Sequence, residues 1–192
     1  GHELGVFRSQ PRQILGPAHN PFERGVVELV DGGRSYALAE SDRLGLDLAV
    51  GVPFNVIGPG QPRRLVPQVF IDQLRADPGT FTLNATAVRD WIDVRDVALA
   101  LVVLSQPDGP RGLFNIATGK GLGLKDMVMA LCRIGNWHPV IREGAAQGVS
   151  GVSRSIGDAR RLTVATGWTP QIMLDDSLRD MIGMDAHPTR DG

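Results

Sequence analysis

Leu46-Asp47-Leu48-Ala49-Val50-Gly51-Val52-Pro53-Phe54-Asn55-Val56-Ile57-Gly58-Pro59-Gly60-Gln61 is the stretch from which the rest of the chain can be read. Its first seven residues form a short apolar run between Gly45 and Pro53, which predicts a buried strand. Gly58-Pro59-Gly60 follows, but Gln61-Pro62 cannot open a helix at once, so this is a turn of fixed shape and not a pyrophosphate cradle. Downstream, Val66 to Ala76 sets Val66, Val69, Phe70 and Leu74 on one helical face. Phe81 to Leu83 and Gly112 to Ala117 read as short strands. Arg95 to Leu104 reads as an apolar helix capped near Asp93 or Asp96. Leu124 to Ile134 has helical spacing and stops at Gly135. Asp158 to Thr166 and Leu174 to Ile182 are two further helices, joined across Gly167-Trp168-Thr169-Pro170. Upstream, residues 1–24 hold Pro11, Pro17 and Pro21 without apolar period and read as loop. Val26 to Val30 reads as a strand or a helix end, and Tyr36 to Leu44 as about two helical turns. Strands and helices alternate, so the class is α/β.

The bulk properties exclude several functions. The chain has 192 residues, 42% apolar and 21% charged, enough to bury a core without disulfides. Its 20 basic and 21 acidic residues leave a net charge of −1, without the basic excess of a nucleic-acid or anionic-membrane binder. The longest mostly apolar run, Asp96 to Ser105, is about half a membrane span. Gly1 to Gln10 carries no secretory pattern, so a cytoplasmic protein is expected, with no nucleic-acid or membrane partner. Cys132 is the only cysteine, which leaves no internal disulfide and suits a core residue. The histidines, His2, His19, His138 and His187, lack the i, i+3 or i, i+4 partners of a metal site, so none is expected.

Two polar motifs invite stronger readings than they support. Gly119-Lys120-Gly121-Leu122-Gly123 resembles a phosphate loop, but Gly121 stands where a P-loop needs Ser or Thr, and Leu124 where a dinucleotide fingerprint needs its last glycine. A strand-to-helix turn is the reading here. Asp90, Asp93 and Asp96 recur every three residues, with Asp96 read as a helix cap and Arg89 and Arg95 as balancing charges. Asn84-Ala85-Thr86 fits a glycosylation sequon, without meaning in a chain that is not secreted.

Four motifs in order carry a resemblance to a family. Pro53 to Gln61 is similar to the strand-end motif of extended short-chain dehydrogenases acting on nucleotide sugars, the NAD-dependent epimerase/dehydratase group. Arg89-Asp90-Trp91-Ile92-Asp93-Val94-Arg95-Asp96-Val97 resembles their Arg-Asp-aromatic segment, and Phe114-Asn115-Ile116-Ala117-Thr118-Gly119 the strand that follows. Thr166-Gly167-Trp168-Thr169-Pro170 and Leu174 to Asp180 resemble their C-terminal helix pair. Within the family the chain looks most like the GDP-4-keto-6-deoxy-mannose reductases and GDP-mannose dehydratases. The resemblance implies a truncated Rossmann-like parallel sheet with a smaller C-terminal α/β substrate-binding lobe. Residues 1–52 would be the remnant of a cofactor domain and residues 53–192 the nucleotide-sugar domain.

The same resemblance implies roles for individual residues. Arg89, expected at a strand-to-helix junction, matches the diphosphate-binding position, and Asn55 a residue touching the substrate. Arg64 and Val66 fall where the family approaches the base, and Arg154 is a candidate second phosphate arginine. Pro53 and Phe54 match residual cofactor contacts. NAD(P) is the family's cofactor, yet this chain alone is not expected to bind it, because the glycine fingerprint is missing. The family's Tyr-x-x-x-Lys pair is also broken. Tyr36, the only tyrosine, is followed four residues on by Glu40; alternatively it holds the lysine position while Gly32 holds the tyrosine's. Lys120 and Lys125, the only lysines, lie too far along the chain to restore the pair locally. Tyr36 is therefore a catalytic candidate in name, with a packed aromatic as the plainer reading. The expected function is the substrate-binding part of a nucleotide-sugar epimerase, dehydratase or reductase, with GDP-linked sugars favoured. The alternative is an inactive family remnant that binds a nucleotide sugar or a protein partner. A homodimer covering the exposed sheet edge is a corollary.

Overall fold

The computed structural model describes residues 25–27, 33–83, 87–144 and 153–184. In chain order these form β1 (Gly25–Val27), α1 (Gly33–Leu44), β2 (Leu48–Pro53), β3 (Asn55–Ile57), α2 (Gln68–Ala76), β4 (Thr80–Leu83), β5 (Val88–Asp93) and α3 (Val94–Leu104). There follow β6 (Gly112–Ile116), β7 (Gly121–Gly123), α4 (Leu124–Gly135), β8 (Val140–Glu143), β9 (Arg154–Ser155), α5 (Arg160–Thr166) and α6 (Leu174–Met184). The expected loop over 1–24, the position of Gly32 and the sequon at Asn84 lie outside the described residues.

Strand β2 is the middle of a parallel sheet ordered β1-β2-β6, which is why its sequence is apolar throughout and does not alternate. Helix α3 covers it, burying Val97, Ala100 and Leu104, while Phe114, Ile116, Leu162 and Trp168 complete the same core. The approach is close at Gly51, where a Cβ would stand 2.8 Å from Leu101 Cδ2. A second core joins α2, α4 and α6 to β4. Ile71, Leu74, Met127, Leu131 and Leu178 are fully buried there, and Phe70 meets Phe81 edge-on at 5.3 Å. Each such side chain contributes roughly 1.5–3 kcal/mol by leaving water. β4 and β8 form a separate parallel pair.

The strand that positions the site is β5. It pairs with β3 and β9 in parallel and with β7 antiparallel. Phe54 is the hinge between the two sheets: its N–H donates to the Ile116 carbonyl at 3.0 Å, and the chain then leaves β2 for β3.

Several expectations need correction. The cap of α3 is Asp93, whose extended backbone lets Oδ1 accept from the Arg95 N–H; Asp96 lies inside the first turn. Buried Asp96 instead accepts from the N–H groups of Gln171 and Ile172, both at 3.0 Å, tying α3 to the segment before α6. The Gly119 to Gly123 segment is more than a turn, since Gly121–Gly123 pairs with β5. Helix α4 runs through Gly135, and the left-handed residue that ends it is Asn136. Gly135 is required for a different reason: a Cβ there would meet the Trp137 ring at 2.5 Å. Helix α5 starts at Arg160, after an Asp158 whose Oδ1 accepts the Arg160 N–H.

Candidate functional site

Alternation along β5 decides the chemistry of its two faces. Arg89, Trp91 and Asp93 fall on one face, and Asp90 and Ile92 on the other. On the second face Asp90 is wholly buried. Its Oδ1 accepts from the Thr118 N–H and hydroxyl (2.9 and 2.6 Å), its Oδ2 from the N–H groups of Gly119 and Gly157 (2.8 and 3.2 Å). One carboxylate thus fixes both the β6–β7 loop and the segment that follows β9. Gly157 can reach it because that residue is packed flat. A Cβ at Gly157 would stand 2.3 Å from Ala117 Cβ and 2.7 Å from Phe54 Cε2.

The first face opens on a cleft of about 400 Å³ lined by Asn55, Leu65, Val66, Arg89, Trp91 and Leu124. Asn55 stands opposite Trp91 in the β3–β5 register, and its Nδ2 donates to the Asp90 carbonyl at 3.0 Å. Arg89 is half-buried and donates from Nη1 to the Val88 carbonyl at 3.0 Å. No carboxylate among the described residues pairs with it. It is the second residue of β5, five before the start of α3, and not at the strand-to-helix junction expected of it. The β9 pairing sets exposed Arg154 opposite Val88, on the Asp90 face of β5, so its guanidinium belongs to the other side of the sheet from Arg89. Arg64 is exposed on the turn beside Leu65 and lies outside the lining. Three of the expected substrate residues, Asn55, Val66 and Arg89, therefore share one cleft; Arg154 lies on the other face of β5.

The other acidic groups of the neighbourhood are already committed. Burial pushes the Asp93 carboxyl up, but hydrogen bonds from Arg95 and Ser177 outweigh this and hold it below the usual range. Hydrogen bonds from Arg160 bring Asp158 down to about 2. Cys132 is half-buried, and burial pushes its thiol up. Among the described residues no group of three or more His, Cys, Asp or Glu could hold a metal ion, and no helix is long and apolar enough to cross a membrane.

Tyr36 lies in α1 and is 68% exposed, not the packed aromatic that the sequence suggests. Glu40 is turned to Arg43, whose Nε donates to it at 2.9 Å. Lys125 is engaged with Glu143 at 3.0 Å. Pro53 ends β2 opposite Ile116, and Phe54 is half-buried beside Gly157. A dinucleotide needs free N–H groups at a glycine-rich helix start. The start of α4 is the nearest approach to one, but its Leu124 N–H is given to the Ala87 carbonyl, and the Asp126 carboxylate lies beside Gly123. The start of α4 is therefore not such a cradle.

Sequence reasoning missed Asp90 and Trp91 as site residues. The signal that could have found them is the period of two across 88–93, which separates Arg89 from Asp90.

Residues 33–117 match the model of the NAD dependent epimerase/dehydratase family. The UDP-glucose 4-epimerase of Corynebacterium glutamicum is 33% identical over 92 residues, which cover 47% of this chain and 28% of that protein. The GDP-6-deoxy-D-mannose reductase of Pseudomonas aeruginosa is 27% identical over 145 residues, 72% of this chain and 48% of the reductase. Among solved structures, RMD from Pseudomonas aeruginosa complexed with NADPH has a TM-score of 0.69 at 25% identity, covering 79% of this chain and 51% of that one. The chain spans about half or less of the length of these three proteins.

Proposed function

Residues 33–117 carry sequence of the NAD dependent epimerase/dehydratase family, and from that premise we propose that this chain is the nucleotide-sugar-binding part of such an enzyme. The observation that carries the proposal is Arg89: a half-buried guanidinium without a carboxylate partner among the described residues, opening with Asn55 on one cleft. A planar guanidinium is matched to phosphate oxygens, and Arg89 supplies it on the cleft face of β5. Leu65 and Val66 give the cleft an apolar wall suited to a base. The likeness to the reductase favours a GDP-linked sugar and a GDP-4-keto-6-deoxy-mannose reductase-like role.

A second reading is favoured by the exposure of Tyr36 and the absence of a lysine beside it among the described residues. On that reading the chain binds a nucleotide sugar without catalysing hydride transfer. Both readings require the cleft to bind. Calorimetric titration with GDP-mannose, GDP and UDP tests this directly. Arg89→Ala should weaken GDP-mannose binding about tenfold to a hundredfold, the worth of one charge-assisted contact of roughly 1.5–3 kcal/mol. Equal affinity in the two proteins, or none in the wild type, would leave Arg89 as a structural residue only.

A further inference from the structure

Behind Trp91 lies a second cavity, of about 280 Å³, between the end of β5, the β6–β7 loop and the start of α6. Trp91 belongs to the lining of both cavities, so its indole is the wall between them. Ile57, Leu122 and Leu174 make much of the second lining apolar. One side is held in place by Asp96, which fixes the Gln171 and Ile172 amides. Asp93 lies on the lining, but its oxygens accept from the Arg95 N–H, Nε and Nη2 (each 2.8 Å) and from the Ser177 hydroxyl at 2.5 Å. Its charge is compensated and its acceptor capacity spent.

What remains open in this lining is one cation. The Trp91 side chain is 8% exposed, and its Nε1–H is buried with no acceptor among the described residues. Lys120 lines the cavity from the exposed loop, and its ammonium group has no described partner. An apolar cavity bordered by a cation favours a ligand with an anionic group and an apolar body. We propose that this cavity is a binding site for a small amphipathic anion, a carboxylate or phosphate ester carrying about one ring. A cavity of about 150 Å³ holds benzene, so the volume here accommodates a ring and its charged group. The site does not rest on the nucleotide-sugar reading, since Arg89 and Asn55 take no part in it. Through the shared indole its occupant would be sensed in the neighbouring cleft.

The three tryptophans give an indole N–H spectrum with few signals, so ¹H–¹⁵N NMR with benzoate as probe reads the site directly. Trp91→Phe assigns the Trp91 signal. Benzoate should shift that signal saturably, and benzamide, the neutral analogue, at least fivefold more weakly. Lys120→Met, an exposed substitution whose fold the same spectra check, should weaken benzoate at least fivefold. Arg89→Ala should leave benzoate binding unchanged. No saturable shift, equal binding of benzamide, or indifference to Lys120→Met would overturn the proposal. Loss of benzoate binding in Arg89→Ala would also overturn it, because the probe would then occupy the cleft on the other side of Trp91.

Discussion

Replacing Asp90 by Asn tests whether one buried carboxylate organises the site. Its two oxygens face four donors: the Thr118 N–H and hydroxyl on one side, the Gly119 and Gly157 amides on the other. Only an acceptor-only group satisfies all four. Asn keeps the shape but turns one oxygen into NH₂. Facing Gly119 and Gly157, that NH₂ would meet two amides that cannot reverse. Facing Thr118 is cheaper, because the hydroxyl can rotate to accept, and only the Thr118 N–H is left against a donor. One unsatisfied buried N–H costs roughly 1–3 kcal/mol, and three bonds fall from charge-assisted to neutral strength. Relief from burying a charge returns part of this, leaving a net loss of about 2–4 kcal/mol. Urea unfolding followed by tryptophan fluorescence, with a slope of about 2 kcal/mol/M, should show the midpoint falling by about 1–2 M. The Asp90 carbonyl also holds the Asn55 amide of the cleft, so GDP-mannose affinity should fall in urea-free buffer as well. A midpoint shift below about 0.5 M would refute the account of Asp90 as the clamp.

Two other outcomes follow from the same packing. Gly157→Ala should lower stability by about 1–3 kcal/mol in thermal melts, because Ala117 and Phe54 must both yield to the new methyl; an unchanged midpoint would mean that the segment after β9 does not pack on them. Asp93 has a depressed folded-state pKa, so its contribution is present above the unfolded value of about 3.9 and is lost as pH falls through the folded one. Urea midpoints should therefore drop as the pH falls below about 4, and Ser177→Ala, which removes one of the hydrogen bonds lowering that pKa, should make the drop shallower.

The periodic parts of the fold are legible in the sequence itself. The run at Leu48–Pro53 is apolar because β2 has a strand on either side and a helix over it, and α2, α3, α4 and α6 show their buried faces as helical spacing. The short strands were not legible. Gly121–Gly123 has no pattern of its own and becomes a strand only because β5 pairs with it, and β9 is two residues held by the same partner. Asp93 and Asp96 are equivalent caps in sequence. Which of them caps was decided by where β5 ends, a property of pairing with β3.

The candidate site was legible through resemblance more than through pattern, and β5 shows why. Read as neighbouring turns, Arg89 and the acids beside it form a self-neutralising surface, and Arg89 carries no free charge. Read as a strand, the same residues part company. Asp90 turns inward to Thr118, Gly119 and Gly157, partners 28, 29 and 67 residues away along the chain. Arg89 turns to the opposite face, where Asn55, 34 positions earlier, arrives by the β3–β5 register. The charge imbalance that makes the cleft attractive to a phosphate thus arises from backbone geometry acting on a locally balanced sequence. Neither composition nor net charge records it, because the carboxylate that would cancel Arg89 is present and faces the other way.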